Sequence, residues 1–199
     1  DREIFGEYCF PGEPVHKEKI TFQDLLEYEN VDFQGFRGDI YVKEAVIPEG
    51  ASTIPKSQFF GCRSLEKVCL PESVSVIEDY AFADCNVLKV WESMEKLSLK
   101  SVGISAFENC YALEFISLPD SLTVIEGAAF ADCVSVNKLI FSDTSLLKKI
   151  GDHAFRGCRN LKEVYLPDSV KYVGISAFRD CVSLEQISVS EKIKNQPGI

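Results

Sequence analysis

Apolar and polar positions along this chain follow two rhythms that take turns. In Leu161-x-x-Val164-x-Leu166 the pattern ends in alternation, the period of a short extended strand with Val164 and Leu166 on one face. Pro167 then stops the strand, because it has no N–H to give to a ladder. Ile150, Ala154, Phe155, Cys158 and Leu161 instead recur at spacings of 4, 1, 3 and 3, the rhythm of a helical or 3₁₀ turn. Gly151-Asp152 ahead of that turn offers a cap. The segment Ile150–Tyr172 therefore predicts one tight turn followed by one short strand.

The same segment recurs along the chain. Cys62, Cys85, Cys110, Cys133, Cys158 and Cys181 are separated by 23, 25, 23, 25 and 23 residues, and a phenylalanine stands three residues before each. Five of those six phenylalanines follow an alanine; Phe59 follows Gln58. Units run 31–53, 54–76, 77–101, 102–124, 125–149, 150–172 and 173–199. In the first, Phe36 is in phase but Asp39 holds the cysteine slot. The two longer units carry their extra residues just after the strand, around Glu92–Ser98 and Ile140–Leu146, and lack the proline. One such unit buries nothing alone. Stacked coils place each inward side chain on its counterpart, with strands ~4.7–4.9 Å apart. The prediction is a repeat solenoid, a right-handed leucine-rich-repeat superhelix with short parallel strands on the concave side and turns or 3₁₀ segments on the convex side.

The string A-F-x-x-C-x-x-L-x-x-[VI]-x-L-P-x-S-V resembles the BspA-like leucine-rich repeats, found mainly in bacterial surface and secreted proteins. The resemblance covers Val31 to about Lys194. It implies a curved solenoid used for binding, with adhesion to host matrix proteins or cells known for some members, and it carries no catalytic residues to transfer.

Residues 1–30 do not fit the repeat and read as an N-terminal cap. Thr21-x-x-Asp24 before Leu25-Leu26 predicts an N-cap and a short helix to Asn30. Cys9, Phe10 and Pro11 read as packing beneath it.

Composition narrows the function. The chain of 199 residues is 46% hydrophobic and 26% charged, a folded rather than disordered balance. Its net charge of −10, with only short, interrupted basic clusters at Lys17–Lys19 and Lys192–Lys194, argues against a nucleic-acid partner. No apolar run reaches the ~18 residues of a membrane span.

The register cysteines read as small buried hydrophobes that stay reduced, not as metal ligands. No C-x₂-C or H-x₃-H pair exists, and His16 and His153 stand alone. No nucleophile elbow, dinucleotide fingerprint or P-loop occurs, so no catalytic residue, metal or cofactor is expected. Arg37-Gly38-Asp39 spells a tripeptide that integrins read in exposed loops. Asp39, however, falls in a slot that the repeat predicts to be buried.

Function then falls to the strand face, where residues flanking the buried central position point outward. One outward column reads Lys67, Val90, Phe115, Lys138, Glu163, Gln186, and its neighbour Cys69, Glu92, Ser117, Ile140, Tyr165, Ser188. Phe115, Ile140 and Tyr165 come from three consecutive coils and form a candidate apolar patch, ringed by Lys138, Glu163 and Glu92. A polar rim around aromatic centres is how protein interfaces are built. The expectation is a non-enzymatic, monomeric, protein-binding module at the cell surface or secreted, its ligand in the class of host matrix or cell-surface proteins. The alternatives are a structural spacer or stalk and an intracellular (cytoplasmic) interaction scaffold.

Overall fold

A computed structural model of the chain describes residues 19–20, 36–93 and 97–196. The predicted N-cap and helix over 21–30, and Cys9, Phe10 and Pro11, lie outside the described residues.

Each coil contributes two extended segments, not one. The longer segments follow the predicted L-x-x-V-x-L phase: β2 (Glu44–Val46), β4 (Lys67–Leu70), β6 (Val90–Ser93), β8 (Phe115–Ser117), β10 (Lys138–Ile140), β12 (Glu163–Tyr165) and β14 (Gln186–Ser188). Ahead of them, β1 (Lys19–Ile20) pairs in parallel with β2, so the ladder begins before residue 31. Between them come two-residue strands: β3 (Thr53–Ile54), β5 (Val76–Ile77), β7 (Ser101–Val102), β9 (Val124–Ile125), β11 (Lys149–Ile150) and β13 (Tyr172–Val173). Every pairing is parallel, as stacking of successive coils requires.

The two ladders respond differently to the longer coils. The two-residue strands form one continuous six-stranded sheet. The longer strands fall into three ladders, β1-β2-β4-β6, β8-β10 and β12-β14. From β4 onward, strands 23 residues apart pair and strands 25 residues apart do not. The extra residues fall after β6 and β10, and the coils are back in a common register at β7 and β11.

The segment that the spacing predicts as helical or 3₁₀ contains no helix. It is a turn whose N–H groups alternate in direction. In the coil of Phe59, the N–H groups of Gln58, Phe60 and Cys62 bond backward within the turn, at 3.1–3.2 Å. Those of Ser57, Phe59 and Gly61 reach the carbonyls of Asp79, Ala81 and Ala83 in the next coil, at 2.7–3.0 Å. A 3₁₀ helix would turn every N–H inward and leave adjacent coils unlinked on this side.

The alternation requires left-handed backbone at two places per coil. One column holds Gly61, Asp84, Asn109, Asp132, Gly157 and Asp180, with φ of 57–72°, the residue types that tolerate it. The other holds Ser57, Tyr80, Ser105, Ala128, His153 and Ser176, with φ of 52–59°. Those residues gain nothing locally from that conformation, so the stack imposes it. The expected Gly151-Asp152 cap works across coils: Asp152 Oδ1 accepts the N–H of Ile175 in the next coil at 2.8 Å. Gly151 is required by contact, since a Cβ there would stand 2.5 Å from Gly127 N.

Inside, the repeat produces columns of like side chains. Phe36, Phe59, Phe82, Phe107, Phe130, Phe155 and Phe178 form one stack, with centroids 5.1–5.5 Å apart and ring planes within 18°. Ile54, Ile77, Val102, Ile125, Ile150 and Val173 line the inner side of the two-residue strands, all buried. At the far end the side-chain amide of Gln196 mimics a further peptide unit. It accepts from Val173 N at 2.6 Å and donates to Lys171 O at 2.9 Å.

Candidate binding face

The strands set the candidate face by alternation. In β8, β10 and β12 the central residues Ile116, Leu139 and Val164 are buried, while the residues on either side are exposed. Register confirms both outward columns wherever the strands pair. Lys67 stands beside Val90 and Cys69 beside Glu92; Phe115 stands beside Lys138 and Ser117 beside Ile140; Glu163 stands beside Gln186 and Tyr165 beside Ser188.

Phe115, Ile140 and Tyr165 are 44%, 38% and 53% exposed, with polar Lys138, Ser117, Glu163 and Ser188 in the neighbouring outward positions. They lie in two columns. Phe115 shares its column with Lys138 and Glu163, and Ile140 sits diagonally across on the paired strand. Tyr165 occupies the slot of Ile140 one coil on, across the gap where β10 and β12 do not pair. Its hydroxyl donates to Glu163 Oε2 at 3.1 Å, which tethers the ring along its own strand. That bond, and the negative charge behind it, raise the tyrosine pKa. The side chain of Glu92 lies outside the described residues.

The cysteine slot is more than filler. Each thiol donates to the carbonyl of the phenylalanine one coil earlier: Cys85 to Phe59 at 3.0 Å, Cys110 to Phe82 at 3.3 Å, Cys133 to Phe107 at 3.1 Å. Cys62, Cys158 and Cys181 do the same toward Phe36, Phe130 and Phe155. Burial raises the pKa of all six, with Cys181 pushed up to about 11. The seven described cysteines are free thiols; Cys69, half-buried, stands apart from this column on the strand face.

Asp39 holds the cysteine slot of its coil and is buried, as its phase predicts. Its Oδ1 accepts the N–H groups of Tyr41 and Val42 at 2.7 and 2.9 Å, and Arg37 lies over the Phe60 ring at 4.9 Å. The carboxylate of Arg37-Gly38-Asp39 is thus committed to its own turn. The described part of the edge loop over 140–146 is also fixed. Ser142 Oγ and Thr144 Oγ1 both donate to the Asp120 carboxylate of the previous coil, and these bonds lower its pKa. The described residues hold no group of three or more His, Cys, Asp or Glu placed to bind a metal ion. No helix among them is long and apolar enough to cross a membrane.

The family model for the BspA-type leucine-rich repeat region matches residues 3–137 and 93–197, in six copies. The chain belongs to that family. The match starts at residue 3, within the segment read as a cap. Among solved structures, a leucine-rich repeat protein from Bacteroides ovatus is 30% identical with a TM-score of 0.69, over 87% of this chain and 41% of its own. The pneumococcal vaccine antigen PcpA is 27% identical with a TM-score of 0.66, over 78% of this chain and 42% of its own. The chain therefore spans about two fifths of the length of these two relatives. No curated protein matches it. BspA-type membership settles the repeat fold of the chain, and its role rests on the face itself.

Proposed function

We propose that this BspA-type solenoid is a non-enzymatic module that binds a protein ligand through its strand face, in a cell-surface or secreted protein. Phe115, Ile140 and Tyr165 form the contact centre, and Lys138, Glu163 and Glu92 form its rim. The observation that carries the reading is the exposure of three large apolar side chains in consecutive coils of β8, β10 and β12. The fold does not need them there, because Lys67, Gln186 and Ser188 fill the same outward positions in other coils. A spacer gains nothing from apolar groups on that surface, whereas desolvated aromatic anchors carry most of the energy of a protein contact. The family setting and the likeness to a vaccine antigen support a ligand outside the cell.

The test is binding of the full chain to purified, immobilised host matrix proteins, with Phe115→Ala/Tyr165→Ala alongside. The reading expects at least one saturable partner whose affinity falls on the order of thirty-fold or more in the double variant. Saturable binding that the double variant leaves intact contradicts this face, and no saturable partner in the panel contradicts the ligand class.

A further inference from the structure

We propose a second, independent site on the six-stranded ladder, a column of lysines that takes a linear anionic polysaccharide with charges repeating along one narrow chain. The position just before each two-residue strand reads Ser52, Ser75, Lys100, Thr123, Lys148 and Lys171. Backbone bonds join these positions coil by coil. Lys100 O accepts Thr123 N, Thr123 O accepts Lys148 N, and Lys148 O accepts Lys171 N, each at 2.9 Å. After Lys171 the column ends, because the Gln196 amide takes the Lys171 carbonyl that a further coil would use. Three of the last four positions in the column, Lys100, Lys148 and Lys171, thus carry an ammonium, one coil rise of ~4.8 Å per step.

Lys100, Lys148 and Lys171 are exposed, and none forms an ion pair among the described residues. The adjacent Lys149 is paired with Glu126 at 2.7 Å, and Lys194 with Glu191 at 3.2 Å. Packing does not demand lysine here, since serine and threonine fill the same slot in Ser52, Ser75 and Thr123. Like charges set in a line repel one another, and in a chain of net charge −10 their gathering by register is a feature in its own right.

The width of the column selects the ligand. It is one lysine wide. Along the chain, Asp120 and Asp168 stand three residues before Thr123 and Lys171, and Glu78 and Glu126 three residues after Ser75 and Thr123. A duplex or a bilayer spreads its charge broadly and would meet those carboxylates. Single-stranded nucleic acid binds by stacking bases on a series of rings. Among the described residues, the two-residue strands that follow the column carry one exposed ring, Tyr172, in register with Lys149. A polysaccharide needs neither breadth nor rings. Ammonium groups also suit it as point charges on flexible stems, with no fixed fork to satisfy.

The probe is a sized heparin octasaccharide, titrated into the full chain at about 50 mM salt and again at higher salt, where counterion release weakens any line of charge. The proposal expects binding that falls as salt rises. Lys148→Gln/Lys171→Gln should lose on the order of tenfold or more in affinity and reduce the salt slope by roughly one unit per lysine removed. Lys89→Gln, on the strand side and paired with Glu66 at 3.0 Å, should keep affinity within twofold. Unfolding midpoints should match wild type for both, because all three lysines are at the surface. No octasaccharide binding at low salt overturns the proposal, as does an equal loss in Lys89→Gln. Tighter binding to single-stranded DNA or to anionic vesicles than to the octasaccharide overturns the ligand class. Phe115→Ala/Tyr165→Ala should leave octasaccharide binding intact, which separates this site from the strand face.

Discussion

The thiol of Cys133 donates to the carbonyl oxygen of Phe107, one coil earlier, at 3.1 Å. That carbonyl already accepts the N–H of Cys110 in its own turn at 3.2 Å. The neighbouring coil's thiol thus brings this buried carbonyl a second donor. The slot therefore wants a small donor, not simply a small hydrophobe. Cys133→Ser keeps a donor and Cys133→Ala removes it. In urea unfolding, Cys133→Ser should cost no more than Cys133→Ala, each in the range of about 1–3 kcal/mol. A serine variant less stable than the alanine variant by over about 1 kcal/mol would return the slot to plain apolar packing.

The six thiols of this column should also be silent. Burial raises their pKa values, and the thiolate is the reactive form. In a Cys9→Ser background, alkylation of the native chain at about pH 8 should label Cys69 alone, with the other six reacting only after unfolding. Mass spectrometry counts the adducts. Two or more labels on the native chain would show that the column opens.

The two faces of the solenoid should answer truncation differently. Phe130 is fully buried in the ring stack, between Phe107 and Phe155 at 5.1 and 5.5 Å. Phe130→Ala should cost about 3–5 kcal/mol. Phe115→Ala, on the exposed strand face, should cost under about 1 kcal/mol. Equal shifts of the unfolding midpoint would mean that Phe115 packs as a core residue.

Much of this was legible in the sequence, for a physical reason. In a stack of coils, residues one repeat apart are spatial neighbours, so the phase of Phe and Cys fixed the ring stack, the burial of Asp39 and the two outward columns around Phe115 and Ile140. The turn itself is legible, but not its hydrogen bonds, because spacings of 3 and 4 report only that apolar residues share a side. They do not show where each N–H points, and half of these point to the next coil. The two-residue strands were missed for a similar reason. A strand as short as Lys149–Ile150 has too few residues to show a period. Lys100, Lys148 and Lys171 are dispersed along the chain and gather only along the register.

Asp120 makes the edge loop pH-sensitive. Its pKa is lowered in the folded protein by the hydroxyls of Ser142 and Thr144. A carboxylate depressed in this way contributes stability above its unfolded value of ~3.9, and that contribution is lost as pH falls through the folded value. Amide exchange at Thr144 and Leu146 should therefore speed up, relative to Lys148, as pH is lowered below ~4 through that value, and Asp120→Asn should be flat over the same range. Parallel behaviour of the variant and wild type would assign the loop's order to something other than this carboxylate.

The most direct measurement of the strand-face claim is amide chemical-shift mapping of the labelled chain against a matrix protein that binds it. The account predicts that the largest shifts fall in 115–117, 138–140 and 163–165, with the buried phenylalanine column little changed. Shifts concentrated in 142–146 and its neighbour 120, with the three strands silent, would contradict it and place the contact on the edge loop.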